Sequence, residues 1–195
     1  GAGSKLAYPQ KFSGSNREVK LSGQAFMNVS PDKSHPFIVK TKKMDVTVMG
    51  TSFEIFSYDN DKEVEAVLLT GKVKVAISDN KKLEGKIYTL APNEKLTYSE
   101  EKGVNLTNID ADAYSGWRKG KRMSFKNETL QMILNRLEKW YGQRIECDPQ
   151  LAEYYRFTFT VHSEPLALIL NYISHSAPLT YKMVGNNHYL IELKH

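Results

Sequence analysis

The chain has 195 residues, 41% hydrophobic and 25% charged, with 27 Lys and Arg against 22 Asp and Glu for a formal charge of +5; this fits a folded globular protein and excludes disordered and fibrous classes. Its one cysteine, Cys147, excludes an internal disulfide and a cysteine-based zinc site. No apolar run reaches the ~18–20 residues that span a bilayer, and no signal-like segment opens the chain; the longest uncharged stretch, residues 165–181, is broken by Asn171, Ser174, His175, Ser176 and Pro178.

From residue 18 to residue 97 the apolar residues alternate: Val19 and Leu21, Val46 and Val48, Phe53 and Ile55, then Val73, Val75 and Ile77. A period of two means strands with one buried face. Frequent turn residues, among them Gly23, Pro31, Pro36, Gly50, Asp59-Asn60-Asp61, Gly71, Asp79-Asn80, Gly85, Pro92-Asn93 and Gly103, predict short strands of about five to seven residues. The first part, residues 1–110, is expected to be all-β, a sandwich or a solenoid-like stack.

Residues 109–121 carry Tyr114 and Trp117 among charges and predict a packed linker over 111–121. The basic runs Lys40, Lys42, Lys43 and Lys119, Lys121, Arg122 are short and interleaved with acids. They read as solvated strand ends, not as a nucleic-acid footprint.

After this the period changes. Leu130, Ile133, Leu134 and Leu137 recur at helical spacing, continue to Trp140 and Tyr141, and stop at Gly142. Ser163 as cap, Glu164 and Pro165 in the first turn, and Leu166, Ile169, Leu170 and Ile173 on one face predict a second helix. The stretch Asn127-Glu128-Thr129-Leu130-Gln131-Met132-Ile133-Leu134-Asn135 returns 36 positions later as Ser163-Glu164-Pro165-Leu166-Ala167-Leu168-Ile169-Leu170-Asn171. Strand-like residues flank both copies, so residues 122–195 are expected to form a small α+β domain of two β-α-β repeats in one sheet. Residues 156–161 would supply its middle strand and residues 188–193 its last.

No catalytic constellation stands out. His35, His162, His175, His188 and His195 fall in turn-like, strand-end or terminal contexts without a nucleophile-elbow motif. Asp59-Asn60-Asp61 lacks the glycine and terminal glutamate of a calcium loop. Gly50-Thr51-Ser52-Phe53 lacks the Gly-Lys pair of a phosphate loop, so its glycine is expected to serve a turn or bulge. Glu63 and Glu65, like Glu100 and Glu101, read as exposed charges, and Cys147 as a small buried hydrophobe. No catalysis, metal or cofactor is expected.

Several motifs together resemble a known family. They are Ala2-Gly3-Ser4-Lys5-Leu6, Tyr8-Pro9 and Phe12, then Arg17-Glu18-Val19-Lys20-Leu21-Ser22-Gly23-Gln24-Ala25-Phe26, Pro36-Phe37-Ile38-Val39, Val46-Thr47-Val48-Met49-Gly50-Thr51-Ser52-Phe53 and Gly71-Lys72-Val73-Lys74-Val75. They look like the extracytoplasmic part of FecR-type anti-sigma factors. The second half, through Trp117, Phe125, Asn127-Glu128, Leu130, Leu134, Leu137, Tyr141, Phe157, Leu166, Leu170 and residues 189–193, is similar to that family's C-terminal domain, related to the short N-terminal domain of secretins and TonB-dependent receptors. Gln24 stands where the family usually has Glu, and Asn93 where it usually has Gly.

The resemblance implies a periplasmic sensor segment of a single-pass inner-membrane protein. A TonB-dependent outer-membrane receptor would offer it a signalling domain, and the message would regulate an extracytoplasmic-function sigma factor. The family's membrane helix and cytoplasmic sigma-binding segment, and one or two strands ahead of Ala2, are expected to lie outside this sequence. Membrane and sigma factor would be reached only through them, and no nucleic acid is expected. An edge strand of the second domain is the candidate docking edge: Phe157, Phe159 and Val161 on one segment, His188, Tyr189 and Ile191 on the other, with Tyr189 as anchor. The alternative is a periplasmic glycan-binding domain without catalysis.

Overall fold

The computed structural model describes residues 1–116 and 122–194; Trp117, Lys119, Lys121 and His195, named above, lie outside them. Two compact units result, one holding Gly3–Ser115 and the other Gly116–His195.

In chain order the first unit contains β1 (Lys5–Ala7), β2 (Arg17–Asn28), β3 (Phe37–Lys40), β4 (Met44–Val48), β5 (Ser52–Ser57), β6 (Glu63–Thr70), β7 (Val73–Ile77), β8 (Ile87–Leu90), β9 (Glu94–Ser99), β10 (Gly103–Asn108) and one helical turn, α1 (Ala111–Tyr114). The strands form one large sheet in the order β10-β9-β6-β5-β2-β3-β4-β7-β8, with β1 beside β2. Strand β2 has 12 residues, longer than the turn spacing predicts, because it serves two neighbourhoods. Its first half runs parallel to β3, from Arg17 opposite Phe37 to Lys20 opposite Lys40, and its second half antiparallel to β5, from Gly23 opposite Ser57 to Asn28 opposite Ser52.

The sheet curls, and the faces on either side of β2 meet in one core. Val39, Met44, Val46, Val48, Val73 and Val75 from one part pack with Phe53, Ile55, Leu68, Leu96 and Tyr98 from the other. These are the inward positions of the alternation, and burying each Val, Leu, Ile or Phe contributes about 1.5–3 kcal/mol. Of the two arrangements the alternation allowed, a curled sheet around one core resembles the sandwich.

The Gly50-Thr51 pair is built for close approach. Val29 and Thr51 exchange backbone hydrogen bonds of 3.0 and 3.2 Å, and the Thr51 hydroxyl donates to the Lys72 carbonyl at 3.0 Å. Gly50 sits at φ +140°, where a Cβ would stand 2.6 Å from the Pro31 Cα. The motif thus seats β5 against the loop after β2.

The second unit comprises β11 (Met123–Thr129), α2 (Leu130–Tyr141), β12 (Arg144–Cys147), α3 (Pro149–Tyr154), β13 (Arg156–Val161), α4 (Leu166–Ser176), β14 (Leu179–Gly185) and β15 (His188–Leu193). The 36-residue repeat survives at the helix starts. Thr129 and Pro165 are the matched N-caps, and Leu130, Ile133 and Leu134 are buried as Leu166, Ile169 and Leu170 are. Gly142 ends α2 in the left-handed region at φ 64°.

Three expectations need correction. The cap of α4 is Pro165 rather than Ser163, because the Glu164 carboxylate turns back to accept from the His162 amide at 2.6 Å and the chain stays extended through Pro165. A further helix, α3, lies between the repeats, capped by Asp148, whose carboxylate accepts from the Gln150 and Leu151 amides at 2.8 and 3.2 Å. The strands also do not form one sheet: β11 pairs antiparallel with β13, while β12, β15 and β14 form a separate sheet in that order. The strand-helix-strand order is present twice, but each helix carries the chain from one sheet to the other. A β-α-β unit proper returns it to a parallel neighbour in the same sheet.

Candidate docking surface

Strand β15 is the centre of its sheet, parallel to β12 on one side and antiparallel to β14 on the other. Residues 188–191, which include all three candidates of this segment, are therefore paired on both sides. The Tyr189 side chain points inward, opposite Ile145 and Met183, is 6% exposed, and joins Ile191 in the core of the second unit. His188 lies beside Glu146, its Nε2 3.3 Å from the carboxylate. The terminal segment is thus corrected as a docking edge: a strand's position within a sheet is set by its partners, not by its place near the chain end.

The other candidate segment lies differently. Among the described residues β13 pairs with β11 alone. Phe157 and Phe159 are half-buried against the core, Phe159 lies 5.0 Å from the Phe125 ring, and Val161 is fully inside. On the opposite face Thr158 and Thr160 are exposed, and the Thr160 hydroxyl bonds Ser124 at 3.1 Å.

The remaining edges of this unit carry features that discourage pairing. Strand β11 bulges between Phe125 and Glu128, with Asn127 at φ 51°. Strand β14 bulges between Met183 and Gly185 and exposes Lys182. Strand β12 spans 4 residues and carries Arg144 and Glu146, which pair with each other. Strand β13 is regular, and Arg156 at its start is its one charge.

The first unit holds a buried polar cluster that the sequence reading missed. Phe53 and Ile55 face the core, so Glu54 faces outward, yet it is 2% exposed because α1 lies over that face. One Glu54 oxygen accepts from the Gln24 side-chain amide at 2.6 Å, the other from the Ser115 hydroxyl at 2.5 Å. Nearby Glu65, read above as exposed, is 1% exposed. It accepts from the Tyr114 hydroxyl and stands 3.3 Å from the Lys95 ammonium, which lies 4.9 Å from the Tyr114 ring centroid. Buried carboxylates persist where donors and countercharge surround them. The signal available in sequence was the pairing of Asp110, a helix cap, with an aromatic four residues on.

Burial or a local partner holds Cys147, His35 and His175. Burial, with the Asp148 charge adding to it, pushes the Cys147 thiol up to about 11, so it stays protonated at neutral pH. His35 is held by Asp32, whose carboxylate accepts from its Nδ1 at 2.9 Å, and His175 bonds the Asn171 carbonyl within its own helix. Among the described residues no cluster of three His, Cys, Asp or Glu side chains could hold a metal ion. Nor is any helix long and apolar enough to cross a membrane. Two clefts in the first unit, of about 370 and 630 Å³, are lined by lysines, aliphatics and threonines without an aromatic floor.

Comparison with known proteins places these features. Residues 1–74 match the family described as FecR protein, and residues 122–191 the family described as FecR, C-terminal. A crystal structure of a candidate anti-sigma factor from Parabacteroides distasonis ATCC 8503 is similar at TM-score 0.87 and 28% identity, covering 98% of this chain and 87% of that one. A second crystal structure of such a factor from the same organism is similar at TM-score 0.85 and 29% identity, covering 97% and 86%. Comparison with curated proteins yields no match. With both family domains in order and a fold shared over nearly its whole length, the chain belongs to the FecR family of anti-sigma factors, a regulatory family.

Proposed function

We propose that the chain is the periplasmic sensor segment of a membrane-anchored anti-sigma factor. It receives its signal by protein contact from the signalling domain of a TonB-dependent outer-membrane receptor, and the message regulates an extracytoplasmic-function sigma factor through segments beyond this sequence. The two units act as separate domains, a curled β domain that includes α1 and a receiving domain over residues 122–195.

The observation that carries the receiver reading is the regular edge of β13, which among the described residues of the second unit pairs with β11 alone. A partner strand laid along it would add backbone hydrogen bonds and meet Phe157 and Phe159 at the rim of the core. The glycan-binding alternative draws no support from the two described clefts, which lack the flat aromatics that stack on sugar rings.

The test is a calorimetric titration of the chain with the periplasmic signalling domain of the TonB-dependent receptor encoded beside its gene. It is repeated with Thr158→Glu and Thr160→Glu together, which place two charges on the exposed face of β13 outside the core, at the loss of the Asn127 amide bond to Thr158 and the Thr160–Ser124 bond, so folding of the variant is verified first. Saturable binding weakened at least tenfold by the paired change is the expected result. Unchanged binding by the folded variant removes β13 as the edge, and no binding by the parent chain removes the receiver role.

A further inference from the structure

We propose that Ser4, Gln24, Glu54 and Ser115 form a hydrogen-bonded relay through the first unit that couples the docking of α1 to the turn ahead of β1. The Ser4 hydroxyl accepts from the Gln24 backbone amide at 2.9 Å and donates to the Gln24 carbonyl at 3.0 Å. The Gln24 side-chain amide donates to one Glu54 oxygen at 2.6 Å, and the Ser115 hydroxyl donates to the other at 2.5 Å. Four residues from distant parts of the sequence are thus linked, Ser4 to the main chain of Gln24 and Glu54 to its side chain, with the middle and far end buried: Gln24 is 9%, Glu54 2% and Ser115 0% exposed.

The two ends of this relay lie at the turn ahead of β1 and directly after α1. Ser4 lies in the turn that leads into β1, and Ser115 is the last residue of the unit, directly after α1. A helix of one turn does not persist alone, since nucleation costs more than a single turn returns. Its stability comes from the Asp110 cap, from Tyr114 bonded to Glu65, and from Ser115 bonded to Glu54.

Docking of α1 is therefore tied to the burial of two carboxylates. Lifting it admits water to Glu54 and Glu65 together and removes the Ser115 bond to Glu54. The Glu54 carboxylate is then freer to move, and with it the Gln24 side chain on the strand segment that Ser4 clasps. A docked and a released arrangement are the two discrete states that transmission through packed groups needs. Use of the relay in signalling rests on the receiver role proposed above, because tension on the second unit reaches the first through Ser115. Its existence does not.

The test uses the full chain and no partner. Hydrogen exchange followed by mass spectrometry is compared between the parent and Ser115→Ala. The relay predicts exchange at least about tenfold faster at residues 4–7 and 23–25 as well as in α1, with β7 and β8 unchanged. Acceleration confined to residues 110–116 overturns it. A double-mutant cycle in urea with Ser4→Ala and Ser115→Ala decides the case in which Ser115→Ala loosens the whole unit. Because the two hydroxyls do not touch, independent sites would multiply their effects on the unfolding constant, whereas the relay requires a departure of roughly threefold or more. Receptor titration is a separate experiment, so loss of the receiver reading and loss of the relay are told apart.

Discussion

The Gln24 amide reaches across from β2 to the Glu54 carboxylate of β5 at 2.6 Å, on a face of the sheet that α1 covers. Phe26 stands opposite Glu54 and Gln24 opposite Phe56, so the contact is the diagonal neighbour pair of an antiparallel ladder. A glutamate at position 24, which resemblance to the family would favour, could not donate to Glu54 while both are ionised. Gln24→Glu should therefore destabilise the first unit by about 2–4 kcal/mol at pH 7. The sign of its pH dependence follows from the pair sharing one proton. The folded-state pKa of the pair rises above the unfolded glutamate value of about 4.3, so the penalty is small below that value and grows as pH rises through the folded one. Urea unfolding at several pH values between 4 and 8 measures this, and a penalty equal at pH 4 and pH 7 would falsify the shared-proton account.

Tyr189 gives the opposite lesson to an exposed anchor. Its ring lies 6.3 Å from that of Tyr181 and is buried with Ile145 and Ile191 in the core of the second unit. Tyr189→Glu places a charge there with no partner, at a cost of about 3–5 kcal/mol or more. A core of this size contributes only ~3–5 kcal/mol, so the second unit should unfold while the first retains its sheet. Near-ultraviolet circular dichroism and limited proteolysis report this, and a folded variant with intact α2 and α4 would contradict the burial assigned to Tyr189.

What could be read from the sequence, and what could not, divides along the same line as these two residues. The inward positions of β4, β5 and β7 follow from alternation alone, and Leu130, Ile133, Leu134 and Leu137 from helical spacing, because each depends on neighbours a few residues away. Burial of Glu54 depends on α1, which is distant in sequence, so its strand context reads as solvent-facing. The central place of β15 depends on β12 arriving from upstream as a parallel neighbour. Nothing in the residues of β15 itself distinguishes a centre from an edge. Helix α3 had a local signal in Asp148-Pro149, a cap followed by proline at the first helical position. A helix of six residues is too short for its spacing to stand out.

Gly50 and Gly85 allow the packing cost of the Gly50-Thr51 motif to be separated from its backbone cost. Both have positive φ, +140° and +77°, but a Cβ on Gly50 would stand 2.6 Å from the Pro31 Cα, whereas one on Gly85 meets nothing within 4 Å. Gly85→Ala should cost about 1–2 kcal/mol, the price of a left-handed backbone. Gly50→Ala should cost about 3 kcal/mol or more, since Pro31 and the Val29–Thr51 bridge must move as well. Chemical unfolding of the two variants provides the comparison, and equal costs would mean that the contact with Pro31 is not what holds the motif.

Cys147 is the last residue of β12 and partly covered by the core of the second unit, which raises its thiol to about 11, with the Asp148 charge as the smaller cause. At pH 8 its thiolate should be about two orders of magnitude scarcer than that of an unperturbed cysteine with pKa ~8.5. Alkylation by iodoacetamide should accordingly be slow in the native chain and rise about tenfold per pH unit through pH 10, where the urea-unfolded chain has already levelled off near its ordinary value. Shielding of the sulfur lowers the native rate at every pH but leaves that slope unchanged, so the profile and not the rate carries the inference. Linkage gives the matching stability trend: the raised folded-state value means that stability present below about 8.5 declines as pH rises toward the folded value. A native alkylation profile that flattens below pH 9 would show the thiol to be ordinary and would reopen Cys147 as a reactive group.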